Sequence, residues 1–233
     1  MPDPIPPIIL SLDFEEKTDA LDTLERIGPR LGWVKVGLQM YLKYGSSLVE
    51  ELADKGYRIF LDLKLFDIPN TVAGAIRSIS NLPVEMLTLH TLGSSDMMKA
   101  AKAARDEYAP ELKLIGVTML TSMNAEQMSR IGIAGEIPGQ VLRLAQLAYH
   151  YGLNGVVCSP KELVVLKTNI EKDWIYVTPG VRPDSTRADD HNRVATPAEA
   201  IKKGANYLVI GRPITASANP KQALNSILSE IQY

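Results

Sequence analysis

The residues best placed to do chemistry stand at the end of one apolar run. The segment Arg58-Ile59-Phe60-Leu61-Asp62-Leu63-Lys64-Leu65-Phe66-Asp67-Ile68-Pro69-Asn70-Thr71 begins as a strand and closes on three charges, Asp62, Lys64 and Asp67. Successive strand side chains point to opposite faces, so Asp62 and Lys64 share one face and Leu61, Leu63 and Leu65 take the other. Charges in such a place are costly to bury unless they are paired. An ammonium held between carboxylates stays protonated. It can stabilise negative charge developing on a substrate and then donate a proton to it. The same spacing also fits a purely structural ion pair at a strand end.

Stepping along the chain, short apolar runs alternate with longer amphipathic segments. Strands are expected near Ile8–Leu12, Trp33–Gly37, Arg58–Lys64, Met86–His90, Lys113–Met119, Gly155–Ser159, Trp174–Thr178 and Tyr207–Gly211. Their unbroken apolar character suits strands covered on both faces, as in a parallel sheet. Helices are expected over Glu15–Leu31, Tyr44–Lys55, Pro69–Ile79, Ser94–Tyr108, Gln140–Tyr151, Lys161–Asn169, Pro197–Lys203 and Pro220–Gln232. The first carries Leu21, Leu24, Ile27 and Leu31 at helical spacing. Gly56 suits a helix stop, and Pro69, Pro197 and Pro220 suit first turns.

Eight such pairs in 233 residues predict an α/β fold, a (β/α)8 TIM barrel forming a single domain over residues 1–233. A doubly wound open sheet is the alternative. The polar stretch Val181–Ala195 follows a strand and reads as a lid or a binding loop.

In such barrels the site lies at the C-terminal ends of the strands. The polar residues expected there are Asp13, Lys35, Asp62, Lys64, Asp67, His90, Thr118, Thr121 and Ser122. The last two strands end in Thr178-Pro179-Gly180-Val181-Arg182 and Gly211-Arg212-Pro213. Loops after strands seven and eight commonly hold phosphate in these barrels. Glycine lets backbone N–H groups approach an anion, and arginine offers a planar set of donors. Lys35 and Lys64 would oppose a cation, so the site is expected to hold no metal. No electron-sink cofactor is evident either. His90 and the Thr121 hydroxyl also fit hydrogen-bonded structural roles, and Trp33 and Trp174 fit core positions.

Composition narrows the partners. The chain is 45% hydrophobic but only 6% aromatic, so Leu, Ile, Val and Ala must fill the core. A formal net charge of −2 gives no reason to expect nucleic acid or an anionic membrane as partner, though a local cationic pocket for a small anion is compatible with it. No apolar run is long enough to cross a bilayer. The single cysteine, Cys158, cannot form an internal disulfide and reads as a small core residue. With a first segment unlike a secretory signal, these features lead to a cytoplasmic expectation.

On these residues the chain resembles the orotidine 5′-phosphate decarboxylase family, which carries out the last step of UMP synthesis. The family motif Asp-x-Lys-x-x-Asp-Ile-Pro-x-Thr stands here as Asp62 through Thr71. Supporting pieces follow in order: Ser11-Leu12-Asp13, Val34-Lys35-Val36-Gly37, Val117-Thr118-Met119-Leu120-Thr121-Ser122, Thr178-Pro179-Gly180-Val181-Arg182, Arg193-Val194-x-Thr196-Pro197 and Ile210-Gly211-Arg212-Pro213. They are similar to the bacterial branch.

The resemblance implies that Lys64 gives the proton to C6 of the pyrimidine and that Asp62 lies beside the departing carboxylate. It implies that Lys35 and Asp13 hold the ribose hydroxyls. Asp67 would reach the site of the other subunit of a homodimer, and Thr71 would join the substrate-binding set. Thr121 would meet the pyrimidine edge, Pro179 and Arg182 the strand-seven loop, and Gly211 and Arg212 the 5′-phosphate. His191 stands where the family usually has a glutamine bridging phosphate and base. The ligands implied are orotidine 5′-monophosphate and UMP, without a cofactor. Two rivals share parts of this pattern. Magnesium-dependent enzymes on sugar phosphates such as keto-gulonate or hexulose phosphate have the Asp-x-Lys-x-x-Asp run, but with a carboxylate where this chain has Lys35. A non-catalytic nucleotide-binding protein is the other.

Overall fold

The strands pair in sequence order, each parallel to the next, and β8 returns to pair with β1, which closes a barrel. They are β1 (Ile8–Leu12), β2 (Trp33–Gly37), β3 (Arg58–Leu65), β4 (Val84–His90), β5 (Lys113–Val117), β6 (Gly155–Val157), β7 (Ile175–Pro179) and β8 (Tyr207–Ile210). The computed structural model describes residues 5–170, 173–183 and 195–233. Around the barrel lie α1 (Lys17–Ile27), α2 (Leu38–Asp54), α3 (Pro69–Ser78), α4 (Ser95–Tyr108), α5 (Ala125–Arg130), α6 (Ile137–His150), α7 (Leu163–Asn169), α8 (Pro197–Lys202), α9 (Arg212–Thr215) and α10 (Pro220–Glu230). The expected (β/α)8 architecture is therefore the one observed, and the open sheet is not. No helix among the described residues is long and apolar enough to cross a membrane.

Strand alternation sorts the core into two layers. Ile8, Leu10, Val34, Val36, Ile59, Leu61, Leu87, Leu89, Leu208 and Ile210 pack outward under the helices. Ile9, Trp33, Phe60, Met86, Ile115 and Val177 form a separate apolar cluster inside the barrel. One step of the pleat further along, the same inward face holds Ser11, Lys35, Asp62 and Thr88. The inner layer thus seals the barrel below, and polar side chains stand on top of it. Burying six large apolar side chains there stabilises the fold by roughly 1.5–3 kcal/mol each, which offsets the cost of charges placed just above.

Several boundaries differ from the sequence reading for identifiable reasons. Helix α2 starts at Leu38, not Tyr44, and Gly45 interrupts it with φ 62° and ψ −151°. Its first turns expose Leu38 and Leu42, so they lack the apolar stripe that marks an amphipathic helix. Helix α5 falls in a stretch to which the sequence reading assigned no element. Asn124 accepts from the Gln127 N–H while the Gln127 side chain accepts from the Asn124 N–H, a capping box that starts a short helix. Strand β5 stops at Val117, two residues short of Met119. Trp33, Trp174 and Cys158 are buried as expected, with the Trp174 indole N–H donating to the Leu153 carbonyl at 2.8 Å.

Candidate active site

The C-terminal ends of the strands enclose a cleft of about 700 Å³, a size suited to a small-molecule ligand. Of the residues singled out in the sequence, Asp13, Lys35, Asp62, Lys64, Thr121, Pro179, Arg182, Gly211 and Arg212 all line it. Its described walls carry four cationic side chains (Lys35, Lys64, Arg182, Arg212) and two carboxylates (Asp13, Asp62), an excess of two positive charges. The chain as a whole is net negative, so positive charge is concentrated locally on the described walls of this cleft.

Side chains from three neighbouring strands build the charged floor. Lys35 Nζ lies 3.2 Å from Asp13 Oδ1 and 3.5 Å from Asp62 Oδ2, and Lys64 Nζ lies 2.8 Å from the same Asp62 oxygen. The order is therefore Asp13, Lys35, Asp62, Lys64, with signs alternating. Lys35 and Asp62 are buried, whereas Lys64 is half-exposed and faces the cleft. Ser11 donates to Asp13 Oδ2 at 2.7 Å. Withdrawal from water raises the Asp13 carboxyl, but the Lys35 charge, the Ser11 bond and Lys64 outweigh it and hold the group below its ordinary value. Gly37 leaves room for this array. A Cβ there would stand 2.9 Å from Lys35 Nζ and 3.4 Å from Asp13 Oδ1.

Lys64 owes its aim to an irregularity. Leu61 pairs with Leu87 and Leu65 with Leu89, so four residues of β3 advance against two of β4. Within the slip, Lys64 takes φ 50°, in the left-handed region that costs a side-chain-bearing residue roughly 1–2 kcal/mol. Strained backbone of this kind is held in place by its surroundings. Here the fully buried Thr88 accepts from the Lys64 N–H at 2.8 Å and donates to Asp62 Oδ1 at 2.9 Å. The sequence reading passed over Thr88 and Gly37. The signal for Thr88 was its parity with inward Met86, the same relation that Asp62 has to Phe60.

The opposite wall is apolar, with Val117, Met119, Leu120, Val157, Val177 and Val209, and it ends in the two arginine loops. Neither the Arg182 nor the Arg212 guanidinium makes an ion pair among the described residues, and both are exposed. Gly180 has φ 76°, a conformation open to glycine at the turn between β7 and Arg182.

Four positions fall elsewhere. Asp67 and Thr71 are exposed and lie outside the cleft wall of their own chain, Asp67 accepting from the Ile68 N–H at 2.6 Å. His191 and most of the Val181–Ala195 stretch lie outside the described residues. His90 stands at the end of β4 and does not line the cleft. Its buried Nδ1 has no hydrogen-bond partner among the described residues, and its ring lies against Phe66 with centroids 5.5 Å apart. Burial, and secondarily the Lys64 charge, push the imidazole below its ordinary value, so it is neutral at pH 7.

Comparison with known proteins bears on this cleft. Residues 6–227 match the model of a family described as orotidine 5′-phosphate decarboxylase / HUMPS. A protein of Opitutus terrae named orotidine 5′-phosphate decarboxylase is 48% identical over 225 residues, covering 97% of this chain and 98% of its own. One of the same name from Nitrosococcus oceani is 46% identical over 224 residues, covering 96% and 97%. The crystal structure of orotidine 5′-phosphate decarboxylase from Lactobacillus acidophilus superimposes with a TM-score of 0.87 at 36% identity, covering 97% of this chain and 99% of that one.

Proposed function

The chain belongs to the orotidine 5′-phosphate decarboxylase / HUMPS family, and on that premise we propose that it converts orotidine 5′-monophosphate to UMP and carbon dioxide with Lys64 as proton donor. The observation that carries this reading is the alternating array, in which Lys64 Nζ stands 2.8 Å from Asp62 and faces the cleft.

The chemistry follows from charge. The bond between C6 and the carboxylate carbon breaks, neutral carbon dioxide leaves, and the electron pair stays on C6. That carbon has little resonance stabilisation, so a positive group already in place where charge develops supplies the largest catalytic term. Lys64 is such a group, its ammonium standing on the cleft wall 2.8 Å from Asp62. It then transfers a proton to C6, forming the C–H bond of UMP, and regains a proton from solvent. Asp62 faces the substrate carboxylate. The repulsion between the two disappears as the neutral product departs.

Binding is assigned to the rest of the cleft. Lys35 and Asp13 hold the ribose hydroxyls, Thr121 the pyrimidine edge, and Gly211 and Arg212 the 5′-phosphate, with Pro179 and Arg182 completing the strand-seven loop. His191 takes the bridging place between phosphate and base. The phosphate is remote from the reacting carbon, so its binding energy serves to align the base. The whole chain acts as one barrel domain in the cytoplasm.

We further read the enzyme as a homodimer, with Asp67 and Thr71 completing the partner's site. Supporting this, the first turns of α2 after β2 and the loop after the neighbouring β3 expose Leu38, Leu42, Phe66 and Ile68, beside an exposed Asp67 and Thr71 that lie outside the lining of their own cleft. The magnesium-dependent sugar-phosphate reading is disfavoured because the Lys35 ammonium fills the space between Asp13 and Asp62, where a metal would need their oxygens.

The test is to mix metal-stripped protein with orotidine 5′-monophosphate in chelator and follow ultraviolet absorbance as UMP forms. Rapid conversion is expected. No conversion of orotidine 5′-monophosphate, together with magnesium-dependent turnover of a sugar phosphate, would instead establish the sugar-phosphate reading.

A further inference from the structure

We propose that Thr88 is a positioning residue for this reaction: its hydroxyl, behind the cleft wall, fixes both the Asp62 carboxylate and the Lys64 backbone so that the Lys64 ammonium is aimed at the reacting carbon. The inference rests on the decarboxylase reading above and adds a residue that does not touch substrate.

The geometry leaves the hydroxyl one arrangement. A hydroxyl has one proton to donate and lone pairs to accept with. The Lys64 N–H can only donate, and it reaches Thr88 Oγ1 at 2.8 Å. The ionised Asp62 carboxylate can only accept, and its Oδ1 lies 2.9 Å from the same oxygen. The Thr88 proton is therefore committed to Asp62. Thr88 is fully buried, so water cannot substitute for either bond.

Both bonds act on the catalytic array. Occupying Oδ1 sets the rotation of the Asp62 carboxylate, which leaves Oδ2 to meet Lys64 at 2.8 Å and Lys35 at 3.5 Å. The second bond replaces a ladder partner. Where β3 slips against β4, Lys64 falls between the paired positions Leu61 and Leu65. The Thr88 hydroxyl gives its N–H a partner and so holds the left-handed backbone, φ 50°, that the residue would otherwise leave. Thr88 does not line the cleft, so its influence passes through these two residues.

Valine has nearly the shape of threonine without the hydroxyl, and serine keeps the hydroxyl without the methyl. The experiment compares wild type, Thr88→Val and Thr88→Ser for kcat and KM on orotidine 5′-monophosphate, for the Kd of UMP, and for thermal unfolding. Thr88→Val is expected to lower kcat by about 10²-fold, the scale of a misplaced catalytic group, while UMP affinity stays within about threefold. Thr88→Ser is expected to keep kcat within about threefold of wild type. A Thr88→Val enzyme with wild-type kcat would overturn the proposal, as would a Thr88→Ser enzyme as slow as Thr88→Val, which would assign the effect to packing. Should Thr88→Val not fold, Thr88→Ser against Thr88→Ala decides the same question, and equal kcat values overturn it. A wild type that binds UMP and turns over no substrate would overturn the decarboxylase reading itself, whatever Thr88 does.

Discussion

The two halves of the barrel rim are built from the same strand–helix unit yet carry opposite kinds of side chain. Strands β1 to β4 raise Ser11, Lys35, Asp62, Lys64 and Thr88 above the inner apolar layer, linked by short hydrogen bonds and ion pairs. Strands β5 to β8 present valines, and among the described residues the polar groups on that side come from the segments beyond the strands, at Thr121, Arg182 and Gly211-Arg212. The first half is pre-paired and charged. The second is an apolar wall with exposed arginines. Catalytic groups gain from being held before the substrate arrives, whereas groups that grip a phosphate must remain available to an incoming anion. On the proposed reading, the first half carries the chemistry together with the ribose contacts, and the second half holds the base edge and the phosphate.

The largest test of that division is Lys64→Ala. It should lower kcat by about 10⁴-fold, from loss of the acid and of the charge it supplies, while UMP affinity measured by calorimetry changes little. Substantial remaining turnover would break the assignment of chemistry to the first half. The same variant sharpens the dimer reading. Mixed, refolded and reassociated with equally inactive Asp67→Ala, it should recover about a quarter of wild-type activity, because half the dimers are mixed and one of their two sites is complete. No recovery would place Asp67 outside the partner's site.

Arg212→Ala tests the other half. Removing a charged donor to phosphate should raise KM and the UMP Kd by about 30- to 100-fold, with a smaller change in kcat. A large loss of kcat at unchanged affinity would count against the phosphate role and blur the division.

The smallest effect is expected at His90, whose buried Nδ1 has no hydrogen-bond partner among the described residues. Its imidazole titrates below the ordinary value in the folded protein, so between the two values the unfolded chain holds more protons. Stability should therefore fall as pH drops through that window. His90→Gln cannot titrate, and its Tm should decline less between about pH 7.5 and pH 5, by about 2–4 °C relative to wild type. Equal declines in a thermal scan would show that His90 titrates alike in the folded and unfolded chain.

Much of this was legible in the chain because the cues are local. A short, β-branched run such as Trp33–Gly37 between turn residues reads as a covered strand, and the parity of Phe60 and Asp62 states which face each takes. The arginines after strands seven and eight were legible for the same reason. Helix α5 was also legible in principle, since Asn124 and Gln127 stand at capping-box spacing. The break at Gly45 and the exposed first turns of α2 were not. Their apolar residues face outward, and no periodicity within one chain reveals what an outward apolar face meets.

The sequence by itself determined the alternation of strand and helix, the residue types at the inward strand ends, and the grouping of Asp62, Lys64 and Asp67 within six residues. These depend on periods of two and of 3.6 residues, which are properties of neighbours in the chain. Only the tertiary structure decided that Lys35 stands between Asp13 and Asp62, that Lys64 bends into the left-handed region under the Thr88 hydroxyl, and that Asp67 and Thr71 lie exposed outside the lining of their own cleft. Barrel closure is the reason. Pairing β8 with β1 sets Ile210 beside Leu10, bringing the arginine loop next to Ser11 across some two hundred residues. Contacts of that kind are set by which strands become neighbours, and no local pattern encodes them.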